Sequence, residues 1–198
     1  SRECGPVSGG AVGSGALRGV TLDFGNTLVP VRHEDLARVV ALTIAGVLGP
    51  LATEADREAF LAAWGEERRR QFDEEVPAFR EVDLAQRFVR VFARQRGMAP
   101  PPAGLRWDDA AAADRSTPEE VAAAVDRYVE AFVETLPAPP EVGPLLARLA
   151  GRFRLGILSN WPVARAIDRF VEAAGWSPHL AAIVVSQRVG TIKPDPAI

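Results

Sequence analysis

The stretch Gly19-Val20-Thr21-Leu22-Asp23-Phe24-Gly25-Asn26-Thr27-Leu28-Val29-Pro30 decides the fold. Val20, Thr21, Leu22 and Phe24 are strand formers, and Gly25-Asn26 breaks the strand. Asp23 is thereby placed at the carboxyl end of a short buried strand, where open α/β sheets gather their ligands. Upstream, residues 1–18 are rich in Gly, Ser and Ala without periodicity and read as a flexible tail. The tail lacks a charged start followed by a long apolar run, so it is no secretory signal. Cys4 within it reads as an inert exposed thiol.

Downstream, residues 32–136 read as all-helical. From His33 to Leu48 the apolar positions Leu36, Val39, Val40, Ile44, Val47 and Leu48 keep a helical spacing, which Gly49-Pro50 stops. Thr53 followed by Asp56 opens a second helix with Phe60, Leu61 and Trp64 on one face. Leu84, Phe88, Val91 and Phe92 mark a third, closed near Gly97. Thr117-Pro118-Glu119-Glu120 is a capping box with proline at the first helical position, and starts a fourth helix. The run Glu66-Glu67-Arg68-Arg69-Arg70 reads as a solvated helix face.

After Pro137–Pro140 the pattern alternates: helix to Ala150, strand Phe153–Leu158, helix Val163–Gly175, strand Ile183–Ser186. That order implies a parallel sheet. The chain therefore reads as an α/β core, residues 19–31 and 137–198, interrupted by an all-helical insertion at residues 32–136. An insertion made just after the strand of Asp23 overhangs the ligand crevice and reads as a cap.

Composition narrows the function classes. The 198 residues are 47% hydrophobic and carry a net charge of −3. Nucleic acid is not an expected partner, because phosphate backbones demand a basic surplus. A single cysteine excludes an internal disulfide and a zinc site built on several thiolates. The longest charge-free apolar stretch, Val39 to Thr53, is too short to span a bilayer. A soluble cytoplasmic protein with a small-molecule substrate is expected, its oligomeric state open. Among 23 Lys and Arg residues the only lysine is Lys193. Arginine fills every ordinary cationic role, so Lys193 marks a place that needs a compact ammonium.

Three segments fall at or just beyond the strand ends: Asp23 to Leu28, Leu158-Ser159-Asn160-Trp161, and Gly190 to Pro196. Asp23 is suited to nucleophilic attack through a covalent intermediate. The backbone N–H groups of Phe24, Gly25, Asn26 and Thr27 can cradle an anion. Ser159 offers a hydroxyl, Asn160 an amide, and Lys193 a charge that offsets nucleophile and substrate in the transition state. Taken singly, Asp23 reads as a turn residue or helix cap, Ser159-Asn160 as a helix N-cap and Lys193 as a solvated surface cation. His33 and His179 have no serine or cysteine elbow nearby and read as helix-start and loop residues. Trp161 reads as a wall of the site or as packing.

Together the segments resemble the haloacid dehalogenase-like (HAD) hydrolase superfamily, in its members with a helical cap after the first core strand. The resemblance covers Gly19 to Ile198. It implies a Rossmann-like core, Asp23 as nucleophile, Ser159 as phosphate-binding hydroxyl and Lys193 as the neutralising cation. It also implies Mg²⁺, held in part by Asp23 and the Gly25 carbonyl. Two departures stand out. Gly25 occupies the position of the phosphatases' second aspartate, the general acid and base. The chain also ends at Ile198, before the acidic pair that completes the Mg²⁺ shell. With the missing initiator Met, this gives the expectation of a core truncated at its C-terminus. The first functional expectation is a phosphatase on a small phosphorylated metabolite, acting through an aspartyl intermediate. A metal-independent 2-haloacid dehalogenase-like hydrolase is the alternative favoured by Gly25, since halide leaves without a proton. A non-catalytic member that only binds anions is the third. A phosphonatase is discarded, because the helical insertion contains no lysine.

Overall fold

The computed structural model describes residues 17–102, 105 and 107–198. The expectations for the tail up to residue 16, including Cys4, lie outside the described residues.

Strand formers between Gly19 and Leu22 make β1, the apolar run Arg154–Ser159 makes β2, and Ala182–Val185 makes β3. All pair in parallel in the order β1-β2-β3, with Leu22 opposite Ile157 and Ser159 opposite Val185. The central strand β2 is buried along Leu155, Gly156 and Ile157, as a strand covered on both faces must be. β1 is an edge strand of this sheet, and its Val20 and Leu22 are only half-buried.

Between β1 and β2 run α1 (His33–Leu48), α2 (Glu54–Arg70), α3 (Leu84–Gln95), α4 (Asp109–Ala113) and α5 (Pro118–Thr135), then α6 (Val142–Ala150). The helix-start signals act locally. Thr53 and Asp56 form a reciprocal capping box at α2. At α5, Thr117 Oγ1 accepts from Glu120 N–H at 3.2 Å, but the box is only half made. The Glu120 carboxylate goes instead to the Arg96 guanidinium, where a charged donor outcompetes a backbone amide. Two further differences from the sequence reading concern α2. It runs on through a π-helical turn, Gln71–Glu75, and a 3₁₀ turn, Val76–Ala78. Glu67, read as part of a solvated face, is buried and paired with Arg94 at 2.6 Å. Beyond β2, α7 (Ala164–Ala173) and a 3₁₀ turn lead to β3, and α8 (Ser186–Val189) follows it directly.

Helices and sheet share one hydrophobic cluster. An aromatic column runs from Trp64 to Tyr128 and on to Phe132 of α5. Phe132 then meets Phe24 at 6.2 Å, Trp161 at 5.2 Å and Phe170 at 6.2 Å between ring centroids. Phe24, the residue after Asp23, is fully buried at this junction. Its ring stands edge-on to Phe170 at 5.3 Å.

Candidate active site

The loop after β1 is a tight turn tied by its own backbone. Phe24 carbonyl oxygen accepts from Leu28 and Val29 N–H, both at 3.0 Å, and Asn26 N–H donates to Val29 O at 2.7 Å. Asn26, not Gly25, takes the left-handed conformation, with φ 58°. A short polar side chain tolerates that region, and Asn26 Oδ1 accepts from Val31 N–H at 3.0 Å. Gly25 has no such need: a β-carbon there would meet the Val31 and Trp161 side chains at 3.6 and 4.0 Å, ordinary contact. The turn consumes the N–H groups of Asn26 and Thr27, the latter donating to Phe24 O at 3.4 Å. In the expected anion cradle, the N–H groups of Phe24 and Gly25 are the two that this turn does not use.

Lys193 reaches the same point from the other end of the chain. α8 ends in Gly190, whose φ of 85° turns the chain back over the sheet. Lys193 Nζ donates to Asp23 Oδ1 at 2.7 Å and to Leu158 O at 2.9 Å. The Leu158 carbonyl lies where β1 has ended, so the ammonium takes an acceptor that strand pairing leaves over. Both side chains stay open to solvent, 40% for Asp23 and 31% for Lys193.

Asn160 holds this lysine in place. Its Oδ1 accepts from Lys193 N–H at 2.8 Å and its Nδ2 donates to Lys193 O at 3.2 Å. The N-cap reading of Ser159-Asn160 fails: α7 starts after Val163, with no side-chain cap. Ser159 sits buried at the end of β2. Thr27 is exposed on the loop. His33 is the first residue of α1, and His179 lies in the 3₁₀ turn before β3.

The sequence reading missed a second arm. Residues 79–84, between the 3₁₀ turn and α3, lie along the core loops. Ile192 N–H donates to Phe79 O at 3.0 Å, Glu81 N–H to Gly190 O at 3.2 Å, and Leu84 N–H to Pro162 O at 2.7 Å. Ser186 Oγ accepts from Trp161 N–H at 2.8 Å and donates to the Glu81 carboxylate. Burial pushes the Glu81 carboxyl above its ordinary value, outweighing the bonds from Ser186 and from Val82 N–H that pull it down. No local pattern could mark Glu81, since its partner lies 105 residues away.

Mg²⁺ demands a nearly complete octahedron of oxygen ligands. Among the described residues no group of three or more His, Cys, Asp or Glu comes together. Asp23 supplies one carboxylate, already engaged by Lys193, and the Gly25 carbonyl would be a second donor. Among the described residues the expected pair Asp23 and Gly25 therefore brings only two of the oxygen donors that Mg²⁺ requires.

A family model for haloacid dehalogenase-like hydrolases matches residues 17–198. The chain belongs to this family. It is accordingly a hydrolase, with the α/β Rossmann-like core of the HAD fold. Among solved structures it is similar to a 2-haloacid dehalogenase from Pseudomonas syringae, at 25% identity and a TM-score of 0.53. That match covers 91% of this chain and 69% of the other. It is also similar to the HAD-family hydrolase YfnB of Bacillus subtilis, solved with magnesium, at 18% identity and a TM-score of 0.49. There the shares are 91% and 68%. An L-2-haloacid dehalogenase from Xanthobacter autotrophicus matches at 19% and 0.46, over 91% of this chain and 61% of its own. No curated protein sequence matches this HAD-like chain. Among the described residues no helix is long and apolar enough to cross a membrane.

Proposed function

We propose that this chain hydrolyses a small anionic substrate through an ester of Asp23, and that its leaving group departs without a proton. A halide on a 2-haloacid is the model case. The observation that carries the reading is the Asp23–Lys193 pair, 2.7 Å apart and open to solvent. A free Asp23 oxygen attacks the halogen-bearing carbon, the carbon–halogen bond breaks, and halide leaves with the electron pair. Water then attacks the ester carbonyl, releasing the 2-hydroxy acid and a proton and restoring the carboxylate. Lys193 holds the nucleophile in place and offsets the substrate's negative charge throughout. The choice of leaving group rests on Gly25, which brings no acid where a poor leaving group would need one. The likeness to the Pseudomonas dehalogenase supports the same choice. Residues 32–136 would act as the cap, and the cytoplasm as the compartment.

The phosphatase reading keeps one observation on its side. The turn leaves the Phe24 and Gly25 N–H groups unused, and free backbone donors suit a phosphoryl group. The two readings separate in one experiment. Halide release from 2-chloropropionate and phosphate release from p-nitrophenyl phosphate are measured with and without Mg²⁺. The dehalogenase reading expects halide release indifferent to Mg²⁺. Mg²⁺-dependent phosphate release alone would replace it with the phosphatase, and no turnover of either would favour an anion-binding member.

A further inference from the structure

Away from Asp23, a cavity of about 500 Å³ opens between α1, α2 and α5. Leu36, Val40 and Ile44 of α1 and Leu61 of α2 form apolar walls, while Trp64, Tyr128 and Arg87 form its buried end. Its lining includes none of Asp23, Ser159, Asn160 or Lys193.

Arg87 is out of keeping with its helix. Two other arginines of α3 have carboxylate partners: Arg90 pairs with Asp109 at 2.7 Å, and Arg94 with Glu66 and Glu67 at 2.6 Å. Arg87 is only 7% exposed, yet among the described residues its hydrogen-bond partner is the neutral amide of Gln71. Its Nε is buried and has no hydrogen-bond partner among the described residues. The guanidinium carbon stands 4.9 Å from the centre of the Trp64 ring. A cation out of water is costly; the Glu81 and Glu67 carboxylates attract it only from beyond direct contact, and a neutral amide does not replace a carboxylate held on the fork. Beside it, burial pushes the Tyr128 hydroxyl up to about 12, so that it keeps its proton and can donate.

We infer that this cavity binds a monocarboxylate with a hydrocarbon body, its carboxylate on Arg87 and Tyr128 and its chain along the apolar walls. The volume lies in the range of small-molecule sites. A guanidinium fork matches a carboxylate, and the long apolar wall offers nothing to a compact, fully hydrated anion. At the mouth Glu54 and Glu58 stand beside Arg57 and Arg68, with Arg57 paired to Glu54 at 3.4 Å, so the rim carries both signs. The site is independent of the reaction assigned to Asp23.

The test titrates the full chain with octanoate, 1-octanol and inorganic phosphate by calorimetry. Octanoate should bind one per chain, at least tenfold more tightly than octanol, with no heat from phosphate. Arg87→Met keeps the volume of the buried end and removes the charge. It should fold, by circular dichroism, and bind octanoate at least tenfold more weakly. Ala41→Trp, made on the exposed side of α1, should block octanoate while leaving Arg87 untouched. Asp23→Asn should bind octanoate as the parent does. Equal binding of octanoate and octanol would overturn the inference, as would phosphate binding, or loss of octanoate binding in Asp23→Asn. So would a dimer that excludes octanoate and that Ala41→Trp dissociates.

Discussion

Lys193 Nζ divides its donors between a carboxylate and a main-chain carbonyl, 2.7 and 2.9 Å away. A compact ammonium can do this in a pocket clasped by Asn160, whereas a planar guanidinium of larger span cannot. Lys193→Arg should therefore be nearly as damaging as Lys193→Ala, each on the order of 10²- to 10³-fold in turnover. Near-full activity in Lys193→Arg, measured on the substrate that the halide- and phosphate-release assays identify, would make the lone lysine an accident of composition. Glu81 poses a different question at this scale. Its carboxyl faces Ser186, Gln71, Arg87 and Asp83, and burial raises it above its ordinary value of 4.5. The folded chain thus holds that proton more tightly than the unfolded chain does. Its contribution to stability is full below about 4.5 and is lost as pH rises through the raised folded value. Glu81→Gln removes this slope. Its melting temperature relative to the parent should rise with pH across that window, and a flat difference would contradict the assignment. Asp23 and Lys193 were legible in the sequence because each sits in a short motif with a strand context. Glu81 and Ser186 were not, because their bond exists only after two distant loops have met.

Among the elements, α5 binds the helical layer to the sheet. Phe132 touches Tyr128 on one side and Phe24, Trp161 and Phe170 on the other. Phe132→Ala should cost about 3–5 kcal/mol in urea denaturation, the range for emptying a large buried aromatic. Because Phe24 adjoins Asp23, activity should fall by more than the folded fraction does. A loss below about 1 kcal/mol would mean that the junction closes up around the gap. Helix bounds were readable where a local signal acts alone. α1 runs His33–Leu48 as its spacing and Gly49 imply, and Thr53 caps α2. The π-helical turn after α2 was not readable. Its buried Gln71 is bonded to Arg87 of α3, a partner on another element that no local pattern announces. Glu67 failed as a solvated residue for the same reason, its partner Arg94 lying on the next long helix.

For the whole molecule, the sheet order matters most. Among the described residues β1, which leads into Asp23, pairs on one side only, with Thr21 exposed and Val20 and Leu22 half-buried. An open edge with apolar side chains invites strands of other copies. Thr21→Lys, a charge on that edge, should raise the concentration at which sedimentation still shows monomer. No change would mean that β1 is not where copies meet. The alternation of strands and helices after Pro137 made the parallel core legible. The route by which residues 79–84 return to the core could not be read, because main-chain contacts leave no side-chain pattern. The Asp23–Lys193 pair also has a consequence for how the chain folds. Its partners are 170 residues apart, and closing so long a loop is worthwhile only after the intervening structure has condensed. During synthesis Asp23 emerges 170 residues before Lys193, so a growing chain carries the carboxylate without its cation until Lys193 is made. The ion pair thus forms only after the helices between its two residues have been made.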